Sequence, residues 1–130
     1  MPRISPIVSS FPGDRGASRY RMAEAVVVLV TVPNAEVATQ LAETLVGEGL
    51  AACVNVLPEV QSTYRWQGKI ERDRELLCVM KTTAEGFERL RARVVALHPY
   101  DVPEVIALPV VAGHEPYLRW IAGAVTARGD

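Results

Sequence analysis

The stretch HPYDVPEV, residues 98–105, sets an imidazole, a phenol and two carboxylates among two prolines. His98 with Asp101 and Glu104 nearby has the donor types that hold divalent cations or exchange protons near neutral pH. Pro99 and Pro103 argue equally for a stiff connector, because each fixes its own φ. Cys53 and Cys78 are either soft metal ligands or small buried packing residues. His114 stands just before Glu115-Pro116, where capping a helix suits it better than holding a metal. Lys81, Tyr100, Glu104, Tyr117 and Trp120 are polar or amphipathic groups inside otherwise apolar motifs. They either pair at a junction, lysine with glutamate and each phenol with a partner, or line a cleft for a small ligand or anion.

Those candidates sit on a chain of one domain's length, 130 residues, with a formal net charge of −1. That balance lacks the positive excess of a nucleic-acid-binding or polybasic membrane-surface protein. No apolar run approaches the ~20 residues of a membrane-spanning helix. No glycine-rich phosphate loop, HExxH or nucleophile elbow occurs, so the sequence predicts no enzyme. Residues 1–23 are rich in Ser, Pro, Gly and Arg without periodicity and read as a disordered N-terminal arm before a single domain over 24–130. The arm lacks the continuous apolar segment of a secretory signal, which predicts a soluble, cytoplasmic protein.

The elements that must position the candidates follow from pattern. EAVVVLVTV, residues 24–32, is a β-branched run suited to a central strand. Asn34 caps a helix whose Val37, Leu41 and Leu45 form one apolar stripe, closing near Gly47 to Gly49. Residues 51–66 and 69–83 form a long hairpin about Gln67-Gly68, with Pro58 assigning the first strand to an edge and inviting a bulge. An unbulged pairing of Trp66 with Lys69 would set Cys53 opposite Thr82 and Cys78 opposite Leu57. The thiols would then lie roughly 13 Å apart along the strands, too far for a disulfide. Residues 84–97 form a second helix on Phe87, Leu90, Val94 and Leu97. Residues 105–112 form a fourth strand, at an edge because of Pro109, and Tyr117, Trp120, Ile121 and Val125 mark the apolar side of a last helix.

This order predicts an α+β split βαβ unit: a four-stranded antiparallel sheet, two helices on one face and a C-terminal helix. Strands two and three carry Val54, Val56, Tyr64, Trp66, Leu77 and Val79 on both sides, more apolar surface than one helix layer hides. Edge pairing in a closed ring of identical copies would cover both the surplus and the edges.

The motifs LAACVNVLP, STYRWQGKIERDRELLCVMKTT, HPYDVPEVIALPV and YLRWI, in this order, resemble the CutA family of divalent-cation tolerance proteins. The resemblance runs from about Ala25 to Val125. It implies a ferredoxin-like sandwich, a homotrimer built by joining edge strands, and tolerance of copper and other divalent metals, with no organic cofactor. In members with proposed copper ligands, a cysteine near the end of strand one and two consecutive histidines before Pro-Tyr take part. Here those positions hold Val30 and Leu97, and only His98 matches. Cys53 matches a cysteine of the AACVN motif, so His98 and Cys53 are the metal candidates, for weak or indirect contact with copper or another divalent cation. A trimeric scaffold binding a small ligand in clefts between subunits is the alternative.

Overall fold

The computed structural model describes residues 24–126, and the arm expected over 1–23 lies outside the described residues. β1 (Ala25–Val32) runs through the middle of the sheet. Alternation sends Val26, Val28, Val30 and Val32 to one face, where all four are buried. Asn34 ends the strand and caps α1 (Ala35–Gly47), its side-chain oxygen accepting from the Val37 N–H at 2.9 Å. Ala38, Leu41 and Leu45 then pack on those valines. The chain leaves the helix through Gly49 at φ +73°, where a Cβ would also collide with Thr126 Oγ1.

β2 (Cys53–Trp66) and β3 (Lys69–Thr83) make the long hairpin. Gln67 and Gly68 turn it with φ of +51° and +80°, the type I′ arrangement that matches strand twist. Pro58 and Glu59 oppose only Leu76, a bulge that shifts the pairing by one residue. The unbulged register is thereby corrected: Cys53 faces Lys81 and Cys78 faces Val56. Both thiols are free, and they project from opposite faces of the sheet. Burial raises the Cys78 thiol above its ordinary pKa, in keeping with a packing role.

α2 (Phe87–Leu97) starts later than its periodicity predicts. The Gly86 N–H is held by Thr83, at 3.1 Å from its carbonyl and 3.0 Å from Oγ1, so residues 83–86 form a turn. β4 (Ile106–Pro109) is shorter than the predicted 105–112 and pairs with β1 from Val26 to Leu29. Strand order is β2-β3-β1-β4, antiparallel throughout, which leaves the two proline-bearing strands at the edges.

α1 and α2 cover one face, where Cys78, Met80, Leu90 and Val94 join the β1 valines. α3 (Glu115–Ala124) lies on the other face, with His114 at its N-cap making no side-chain capping bond. It reaches only the end marked by Ala25 and Ala52, where Ile121 and Val125 are buried. Tyr117 and Trp120, expected on its apolar side, are instead 42% and 48% exposed. Past α3 the same face carries half-buried Val27, Leu29, Leu77 and Val79, with Ile106 and Leu108 each 47% exposed. No other described element lies over them.

Candidate functional site

β4 stops opposite Leu29, so it does not reach the Thr31 carbonyl. His98 fills that gap. Its Nδ1 accepts from the Tyr100 N–H at 3.1 Å, and its Nε2 lies 2.8 Å from the Thr31 oxygen. A backbone donor at Nδ1 places the ring hydrogen on Nε2, which donates to Thr31. The ring is 7% exposed and sits 4.6 Å, centroid to centroid, from Tyr100. Both nitrogens are engaged, so in this arrangement neither offers a lone pair to a metal. His98 therefore latches the 98–105 connector to β1. The end of α2 is closed by the His98 backbone N–H, which donates to the Val94 carbonyl at 2.8 Å, and not by the ring.

From that latch Tyr100 reaches across to β3, its hydroxyl donating to Glu75 Oε2 at 2.7 Å. Glu75 is 6% exposed, and Tyr100 is its one hydrogen-bond partner among the described residues. Burial and then the Glu75 carboxylate push the Tyr100 phenol above its ordinary pKa. On the hairpin Tyr64 donates to Asp73, a bond that carries its phenol up to about 12. The Glu104 carboxyl is likewise raised, by burial first and by the Glu75 charge second.

These groups border one cleft of about 780 Å³, within the range of small-ligand sites. Asp73, Glu75, Asp101 and Glu104 supply its carboxylates, and Tyr64, Trp66 and Tyr100 its rings. No lysine, arginine or histidine is among the described residues that line it. Such a wall repels an anion, one of the ligands the sequence allowed at Tyr100 and Glu104. A signal for the cleft was present in ERDRE: strand alternation puts Glu71, Asp73 and Glu75 on one face and Arg72 and Arg74 on the other. Arg74 faces away and pairs with Glu59 at 3.3 Å.

The remaining candidates gather elsewhere. Cys53 Sγ is 3.8 Å from the Tyr117 hydroxyl, and Tyr117 stacks on Trp120 with centroids 5.5 Å apart. Lys81 stands opposite Cys53 and donates to Asn55 Oδ1, not to a glutamate. From Lys81 to Glu75 the strand rises roughly 20 Å, so within the chain these are two separate places. Cys53 belongs to the first and His98 to the second; the fold does not bring the two metal candidates together. Among the described residues, no three His, Cys, Asp or Glu side chains converge as a metal site requires.

Residues 26–124 match the family described as CutA1 divalent ion tolerance protein. Over 95 residues the chain is 55% identical to the divalent-cation tolerance protein CutA of Thermus thermophilus, covering 73% of this chain and 92% of that protein. It is 45% identical over 119 residues to the chloroplastic protein CutA of Arabidopsis thaliana, across 87% of this chain but only 65% of the plant protein. The solved structure of the divalent cation tolerance protein from Thermus thermophilus superposes with a TM-score of 0.77 at 51% identity, over 78% of this chain and 99% of that one.

Proposed function

The chain belongs to the CutA1 divalent ion tolerance family, and from that premise we propose that it is a homotrimeric, non-enzymatic tolerance protein whose contact with copper or another divalent cation is weak or indirect. The observation that carries the metal half is the His98 ring, with both nitrogens bonded to backbone. A ligand must surrender one of those bonds to bind metal, and the stable sites of such ions need three or four convergent donors. Assembly is supported by the uncovered apolar face around Leu29, Ile106 and Leu108 and by two open sheet edges. The strand order with two helices on one face supports a ferredoxin-like sandwich as the unit that assembles. A cytoplasmic location is part of the same proposal; no described helix is long and apolar enough to cross a membrane.

Calorimetric titration of the purified assembly with copper and with zinc, beside a His98→Ala variant, tests the metal half. The expected result is no site tighter than about 1 μM and the same heats in the variant. A tight site abolished by His98→Ala would overturn it. Light scattering tests the assembly, with a mass of three copies expected; a stable single copy would remove the trimer.

A ligand-binding scaffold is the second possibility. One observation favours it: the cleft at Tyr100 and Glu104 is roomy and lined with directed polar groups.

A further inference from the structure

The acidic cleft has three properties that together ask for a positive charge. Its innermost carboxylate, Glu75, is nine-tenths buried, receives a hydrogen bond only from the neutral Tyr100 phenol, and lines the open space. A carboxylate withdrawn from water is bonded more strongly by a charged donor than by a neutral phenol. Its neighbours deepen the deficit, since Asp73, Asp101 and Glu104 line the same space and no described cation does. The Glu104 carboxyl is raised by burial first and by the Glu75 charge second. Finally, three aromatic residues, Tyr64, Trp66 and Tyr100, line the same space, and ring faces attract ammonium and guanidinium groups.

We infer that this cleft binds an organic cation, an ammonium or guanidinium group, with Glu75 as its buried counter-charge and the aromatic rings as its walls. A bare divalent ion fits less well. Hard cations need several oxygens converging at short range, and among the described residues no such group of three exists. Two of the four carboxylates are moreover turned toward phenols, Asp73 to Tyr64 and Glu75 to Tyr100. The volume of 780 Å³ exceeds what a single ion needs and accommodates an extended cation. The inference deepens the scaffold possibility and is independent of the metal proposal. Its source is either a free small molecule or a lysine or arginine side chain of a second copy, and the chemistry recognised is the same.

The full chain is titrated with 1,4-diaminobutane, followed by calorimetry and tryptophan fluorescence, with magnesium chloride as the control cation. Self-association is measured in parallel by sedimentation. Glu75→Gln keeps the shape and an acceptor for Tyr100 while removing the charge. Asp101→Asn, at an exposed position, decides the matter if the first variant misfolds. Saturable diamine binding below about 1 mM, weakened tenfold or more by the variants and not reproduced by magnesium, supports a free cation. No diamine binding, but tenfold weaker self-association in the variants, supports a cationic side chain of a second copy. If both readouts stay within twofold of the wild type in a folded variant, or magnesium competes as well as the diamine, recognition of an organic cation is overturned. Neither result bears on the heats of copper and zinc, so its failure is separable from that of the metal proposal.

Discussion

The two faces of the sheet are made from alternate residues of the same strands, yet they end in different environments. On one face Val28, Val30, Val32, Cys78 and Met80 lie under α1 and α2 and are fully buried. On the other, Val27, Leu29, Leu77 and Val79 remain half-buried and Ile106 and Leu108 stand open. Residue type does not separate them, since both rows are chiefly aliphatic. Coverage does: α3 is short and seated at one end, so it shields Ala25 and Ala52 and leaves the rest. The first face closes the core of the chain. The second offers the apolar surface that a further copy would remove from water, at about 25 cal/mol for each Å² buried.

The largest effect that would separate the faces is a cavity on the closed one. Met80→Ala should lower unfolding stability by about 2–5 kcal/mol, read from denaturant melts, because the packed core relaxes only partly around the void. A loss below about 1 kcal/mol would mean that this face is not the tight core described. On the open face, Leu108→Asp should leave the circular dichroism spectrum intact and weaken assembly at least tenfold, about 1.4 kcal/mol, by light scattering across a dilution series. Unchanged mass at every dilution would place the junction between copies elsewhere.

The smallest effect concerns pH. The folded-state pKa of Glu104 is raised, by burial and then by Glu75, so its contribution to stability is fully present below the ordinary value of 4.5 and is lost as pH rises through the raised value. Asp73, Glu75 and Asp101 face the same cleft, and no described base there offsets them. Glu104→Gln should therefore be more stable than the wild type at pH 7 and no more stable at pH 4. Glu104 is only partly withdrawn from water and much of it stays exposed, so solvent screening keeps the gain small, about a few tenths of a kcal/mol. A difference that is the same at both pH values would show that neither burial nor the Glu75 charge acts on this carboxyl.

Much of the fold was legible because it rests on local rules. The β-branched run of β1, the Asn34 cap, the Gln67-Gly68 turn and the edge-assigning prolines each work through their own backbone, and each stands where the pattern placed it. The candidate site was legible only in pieces. His98 and Tyr100 were visible as chemistry, but the bond from His98 to Thr31 depends on where β4 stops, and no local signal marks that. Glu75 does not stand out inside a charged strand, although the alternation of ERDRE assigns it a face.

By itself, then, the sequence determined which segments are strands and helices, which strands are edges and which residues share a face, since periodicity and backbone stereochemistry act over a few residues. Only the tertiary structure decided that His98 is latched by two backbone groups, that Cys53 and His98 lie at separate places, and that four carboxylates meet around one cleft. Those outcomes depend on the bulge at Pro58, the short reach of β4 and the seat of α3, which bring together groups far apart in the chain. Such meetings are set by the packing of whole elements, and that packing is a property of the assembled chain.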